Sequence, residues 1–79
     1  MLIPLYGFAQ GDSLGLLVLV QDTDTIETLG KTLAQAAAVR VAPFEKGRVS
    51  HAGKVLDPQS TVAASGLTPL ARIDLERAR

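Results

Sequence analysis

Asp22-Thr23-Asp24-Thr25-Ile26-Glu27-Thr28-Leu29-Gly30-Lys31-Thr32-Leu33, continued by Ala34-Gln35-Ala36-Ala37-Ala38-Val39-Arg40, is the stretch whose reading decides the fold. Ile26, Leu29, Leu33 and Ala37 recur at i, i+3, i+7 and i+11, which places them on one face of a helix. Ala34, Ala36 and Ala38 are strong helix formers. Asp24 or Thr25 can cap the start, and Asp24 with Glu27 has capping-box spacing. Asp22, Asp24 and Glu27 all lie where the helix dipole favours negative charge. The spacing predicts a helix from about Thr25 to about Val39, ended ahead of Pro43.

Working outward, residues 2–8 (Leu-Ile-Pro-Leu-Tyr-Gly-Phe) read as a first strand. Pro4 lacks an N–H, so this strand is expected at an edge or with an irregular start. Gln10-Gly11-Asp12-Ser13 is a turn cluster. Residues 14–20 (Leu-Gly-Leu-Leu-Val-Leu-Val) read as a second strand, too apolar to be solvated on either side along its length, and the short spacing predicts a hairpin. After the helix come Arg48 to His51, a turn at Ala52-Gly53, Lys54 to Leu56, a short helical turn from Thr61 to Ser65 closed by Gly66, and a last strand from Ala71 to Leu75. In that strand Ile73 and Leu75 face in, while Arg72 and Asp74 face out. The order β-β-α-β-β-β is an α+β plan, one sheet with one helix across one face. Residues 1–79 make a single domain without repeat or linker.

The composition, 47% apolar and 20% charged, is that of a globular chain. At 79 residues such a domain buries roughly 60% of the surface its unfolded chain exposes. Its core supplies about 3–5 kcal/mol of net stability, and little volume is left for a deep pocket. There is no cysteine, hence no disulfide framework and no thiolate metal site; a secreted domain of this size usually carries disulfides, so the expected compartment is the cytoplasm. Leu14 to Val20 is too short to span a bilayer, and no basic segment precedes an apolar run at the start. The net charge of zero argues against a nucleic-acid partner. Yet residues 1–30 hold four acids and no base, while residues 31–79 hold eight bases and four acids. The pattern fits either an acidic edge and a basic edge, a modest steering device for a protein partner, or a normally solvated surface.

Catalytic chemistry finds little support. Gly30-Lys31-Thr32 matches the end of a phosphate-binding loop, but the required glycine five residues earlier is Thr25, and the segment lies inside the helix. Asp22-Thr23-Asp24 lacks the further oxygen ligands and glycine of a calcium loop. His51, the sole histidine, cannot build a zinc site without other N or S ligands; it is expected half-buried with a hydrogen bond, beside a turn. Ser13, Ser50, Ser60 and Ser65 have no base nearby in sequence, and only His51 could serve one. The chain is expected to be no enzyme, and to hold neither metal nor cofactor nor small ligand.

The helix start resembles that of ubiquitin, with Asp24-Thr25-Ile26-Glu27 followed by Leu29 and Leu33. So does the second half, through Ala52-Gly53-Lys54, Leu56-Asp57, Thr61-Val62, Leu67, Ile73 and Leu75. The resemblance implies a ubiquitin-like β-grasp with a mixed sheet. Glu76-Arg77-Ala78-Arg79 stands where ubiquitin has its activatable Gly-Gly, and Ser50 and Glu76 stand at positions of its apolar patch. Conjugation is therefore not expected.

A second resemblance runs nearly end to end. Pro4, Phe8 and Asp12 at four-residue spacing, the Leu17-Val18-Leu19-Val20 strand, Arg40-Val41-Ala42-Pro43 after the helix, Thr61-Val62-Ala63, Ser65-Gly66-Leu67-Thr68-Pro69 and Ile73-Asp74 resemble the small γ subunit (B component) of bacterial multicomponent diiron monooxygenases, the toluene and alkene hydroxylases. That resemblance implies a non-catalytic accessory subunit in an (αβγ)2 hydroxylase. It would pack on the large subunit and its companion, with the diiron centre and the hydrocarbon chemistry in the partner. The alternative on these residues is a free-standing ubiquitin-like interaction adaptor. In either case the helix exit and the strand after it are richest in anchors of the kinds that dominate interfaces. Arg40, Pro43, Phe44, Arg48 and His51 are the expected partner-contacting residues, with the edge around Phe8 and Asp12 as the rival surface.

Overall fold

The computed structural model describes residues 1–41 and 47–77. Among these described residues, five strands and one helix occur in the order β1 (Leu2–Ala9), β2 (Leu16–Gln21), α1 (Ile26–Ala37), β3 (Gly47–His51), β4 (Lys54–Val55) and β5 (Arg72–Arg77). They form one mixed sheet with strand order β2-β1-β5-β3-β4. β1 runs antiparallel to β2 and parallel to β5, and β3 is antiparallel to both β5 and β4. This is the ubiquitin-like β-grasp that the sequence leads one to expect.

The apolar helix face reads as predicted. Ile26, Leu29, Leu33 and Ala37 are buried, and the first three join Leu5, Val49, Val62, Ile73 and Leu75 in one core. Burying each aliphatic side chain of this kind contributes about 1.5–3 kcal/mol. Gly30, the glycine of the phosphate-loop fragment, has a structural part. A Cβ there would stand 3.2 Å from Val49 Cγ2 and 3.6 Å from Leu75 Cδ1, so the missing side chain lets the helix lie close to the sheet.

Three expectations need correction, and the choice between two caps is resolved. The helix is shorter than the Thr25–Val39 span, because Ala38 to Arg40 leave it in turn geometry. Its cap is Thr25, whose Oγ1 accepts from the Thr28 N–H. Asp24 is not the cap: its carboxylate turns back to accept the Gln21 N–H at 2.9 Å. β1 is an interior strand despite Pro4. Pro4 O accepts the Leu70 N–H and the next rung on that side is Tyr6 N–H to Ala71 O. The missing proline N–H therefore faces the β5 side ahead of the parallel pairing, which begins at Tyr6 opposite Arg72, and no ladder bond is lost. β2 begins at Leu16 and is not covered on both faces. Leu17 and Leu19 are more than half exposed, because no second layer lies over that face among the described residues.

The loop from Asp57 to Gly66 closes the helix start. Ser60 and Pro58 carbonyls accept the Ile26 and Glu27 N–H groups, and the Asp24 and Asp22 carbonyls accept from Val62 and Ala63. The first helical N–H groups are thus spent inside the chain, and they are what an anion at a helix start would need. Gly66, at φ +77, ends the short turn at 61–65.

Candidate functional site

The structure separates the residues expected to meet a partner. Arg40, in the turn after α1, points back to the β1–β2 turn. Its Nε lies 3.1 and 3.0 Å from the two oxygens of Asp12, and its Nη2 lies 2.8 Å from Oδ2. The Asp12 side chain is only 3% exposed and also accepts the Leu14 N–H. Arg40's hydrogen bonds, then that of Leu14, hold the Asp12 carboxyl below the ordinary carboxylate range, and Asp12 in turn raises Arg40. A planar guanidinium on both carboxylate oxygens is a geometry that lysine cannot copy. Arg40 and Asp12, expected on two rival surfaces, are one intramolecular pair.

Arg48 and His51 lie on β3. Arg48 faces Glu76 across the β3–β5 ladder, 3.7 Å from its carboxylate. His51 is half-buried, with Nδ1 2.7 Å from the Arg72 carbonyl oxygen; since a carbonyl can only accept, Nδ1 carries the proton. Pro43 and Phe44 lie outside the described residues. The early acids do not form an open acidic edge. Asp12 holds Arg40, Asp22 lies 2.8 Å from the Met1 amino group, and Glu27 lies 3.8 Å from Lys31.

The sheet has two different surfaces. One is the core. On the other, the β5–β3 half is polar and internally paired: Arg72 to Asp74 at 3.2 Å, Arg48 to Glu76, and Ser50 Oγ donating to Glu76 Oε1 at 3.3 Å. Ser50 stands where ubiquitin's apolar patch would be, and it is buried. The β1–β2 half is apolar. Pro4 pairs with Leu19, Tyr6 with Leu17 on one side and with Arg72 on the other. The Arg72 guanidinium lies 4.2 Å from the centre of the Phe8 ring, a cation–π distance. This half is hidden in the sequence because an apolar run reads as burial on both sides. The alternation of Leu17 and Leu19 with Val18 and Val20 was the available signal.

Among the described residues, no group of three or more His, Cys, Asp or Glu side chains could hold a metal ion. No described helix is long and apolar enough to cross a membrane. The serines noted above are accounted for locally where they are buried: among the described residues no buried side-chain polar atom lacks a partner. A diiron centre therefore finds no ligand set among these residues.

The comparisons with known proteins speak to family and fold. A family model described as toluene-4-monooxygenase system protein B (TmoB) matches residues 2–76. A chain in a solved complex described as "Toluene 4 monooxygenase HD Complex with Inhibitor 4-Bromobenzoate" is similar at 28% identity and TM-score 0.92, covering 99% of this chain and 100% of that one. The ubiquitin-like domain of Plasmodium falciparum Dsk2 matches at 22% identity and TM-score 0.80, covering 99% of this chain and 100% of that one. Caldiarchaeum subterraneum ubiquitin matches at 15% identity and TM-score 0.77, covering 100% of this chain and 96% of that one. These last two similarities speak for the fold alone. A search of curated protein sequences gives no match.

Proposed function

The chain belongs to the family of toluene-4-monooxygenase system protein B, TmoB, and on that premise we propose that it is the non-catalytic γ subunit of a cytoplasmic multicomponent diiron hydroxylase that oxidises aromatic or alkene hydrocarbons. It packs on the large subunit and its companion in an (αβγ)2 assembly. The observation that carries the reading is the near-complete match, by family over residues 2–76 and by structure at TM-score 0.92, to a component of a toluene monooxygenase. The absence of a ligand set among the described residues supports placing the iron in the partner, where it would supply the oxygen chemistry. This chain's own contribution is a small rigid body with a face for another protein.

The test is co-expression with the large subunit encoded beside it, a helical chain expected to carry Glu-x-x-His pairs. The expected result is equimolar co-elution on size exclusion, with iron in the complex and none in the chain alone. Elution of the chain by itself in the presence of that subunit would overturn the reading.

A further inference from the structure

The open side of the sheet is the feature that the accessory-subunit reading leaves without a part, and three observations converge on it. The first is the contiguous apolar register Pro4–Leu19 and Tyr6–Leu17. Leu17, Leu19 and Tyr6 are 57%, 56% and 46% exposed. Isolated exposed leucines need no explanation, but a contiguous patch on a small domain marks an interaction surface.

The second is Leu70. Its φ of +66 is a conformation that a bulky side chain rarely adopts. Its N–H is bound to Pro4 O at 2.7 Å, so it borders the same patch, and its side chain is 59% exposed. In the free chain nothing is gained by placing leucine there, since asparagine or glycine suits the backbone better. The leucine has a reason only when its side chain is covered.

The third is charge. Arg72 sits beside Tyr6 in the register, stacked on Phe8 and holding Asp74 through one nitrogen. Tyrosine and arginine together are the residue types that dominate binding energy. The rest of the patch carries no charge. A second copy of the chain, docked face to face about a two-fold axis, would set against Arg72 another Arg72, an aliphatic side chain or at best the Tyr6 hydroxyl, and no carboxylate of the patch to neutralise it. The occupant is thus a different protein with an acceptor at that point. The chain is only 30 × 24 × 19 Å, and a stable interface takes about 800 Å² from each partner, so a permanent contact occupies most of one face.

We propose that the apolar half of the open sheet face, made by Pro4, Tyr6, Leu17 and Leu19 and bordered by Leu70 and Arg72, is the seat of the hydroxylase component of the monooxygenase, which presents to it an apolar surface with a carboxylate for Arg72. The inference rests on the accessory-subunit reading and specifies the surface it uses. The β3 residues Arg48 and His51 then lie towards the rim.

The experiment is pull-down of the full chain by the tagged large hydroxylase subunit, co-expressed from the operon that encodes both. Circular dichroism melts of each free variant are recorded beside it. Leu17→Glu and Arg72→Glu are expected to cut recovery at least tenfold while the free chains stay folded, and Lys54→Ala to leave recovery within twofold. Leu70→Asn separates binding from folding. It is expected to hold or raise the melting midpoint of the free chain and to lower recovery several-fold. Wild-type recovery for both Leu17→Glu and Arg72→Glu overturns the inference while leaving the subunit reading intact. So does loss seen only on Arg48→Ala or His51→Ala, or a wild-type self-dimer abolished by Leu17→Glu. Failure of the wild-type chain to co-purify overturns the subunit reading, and this inference with it.

Discussion

Arg40 grips Asp12 across 28 residues of chain, fastening the exit of the helix to the turn between the first two strands. The carboxylate is almost wholly covered and the arginine only partly so. The two changes that break the pair are therefore unequal. Arg40→Ala leaves a covered carboxylate without its cation, whereas Asp12→Asn leaves a partly exposed arginine that water can serve. Arg40→Ala is expected to lower the urea midpoint more than Asp12→Asn does, and equal midpoints would count against a clasp.

The same pair sets a pH dependence. Asp12 is held below the ordinary carboxylate value, chiefly by Arg40, and Asp22 is shifted the same way by the Met1 amino group. A carboxyl depressed in the folded state contributes stability that is fully present above its unfolded value of about 4 and is lost as pH falls through the folded value. Wild-type urea midpoints are expected to be flat with respect to these groups from pH 7 to about 5, then to fall. Asp12→Asn should fall less steeply over the same acid range, Asp22 keeping its own share. Parallel acid limbs for the two proteins would remove Asp12 from the account.

Leu33 is fully buried, and a Cβ on Gly7 would stand 2.7 Å from its two terminal carbons. Leu33→Ala is expected to cost about 2–5 kcal/mol, comparable with the whole net stability of so small a domain, so most of the isolated chain unfolds. Gly7→Ala alone overpacks the site, costing about 1–3 kcal/mol. Combined, the new methyl enters the space vacated by the leucine. Gly7→Ala should therefore cost less in the Leu33→Ala background than in the wild type, as read from the cycle of denaturation midpoints in a stabilising osmolyte. Additive costs would show that the two do not share one space.

What was legible follows from the range of each interaction. The face Ile26, Leu29, Leu33 and Ala37 could be read because helical period is local and the core takes whatever stripe it is offered. The position of Pro4 could not, because the side to which its missing N–H points acquires meaning only once β5 lies alongside β1. Asp12 and Arg40 each stood out in the sequence, yet nothing local says that one holds the other. Leu17 and Leu19 are ambiguous in the sequence for a different reason. Apolar composition states that a face is to be covered; it does not state whether the cover belongs to the same chain.

The helix start offers a sharp comparison. Capping-box spacing gives Asp24 and Glu27 the leading parts, whereas the structure gives the cap to Thr25. Thr25→Ala is expected to cost about 0.5–2 kcal/mol. Glu27→Gln removes an exposed pairing with Lys31 one turn away and a solvated first-turn charge, together worth less than about 1 kcal/mol. Chemical denaturation of the two variants decides: a larger loss for Glu27→Gln would restore the capping box.

Phe8 stands on the outer face of β1 between two neighbours that fix its ring. Arg72 lies over it at 4.2 Å, and a Cβ on Gly15 would stand 2.6 Å from its Cζ and 3.0 Å from Cε2. Glycine at position 15 is what lets the ring lie against the start of the second strand and so present a flat surface to the guanidinium. Gly15→Ala must push the ring aside, and Arg72 loses its platform. The stacking of a half-exposed pair is worth about 0.5–1 kcal/mol. A double-mutant cycle of Phe8→Leu and Arg72→Gln in the free chain is therefore expected to give a coupling of that size. Repeated in the Gly15→Ala background, the cycle should give a coupling near zero, while the buried core on the opposite face keeps the fold. An undiminished coupling in that background would mean that the ring finds the arginine without help from Gly15, and that the glycine has another reason for being there.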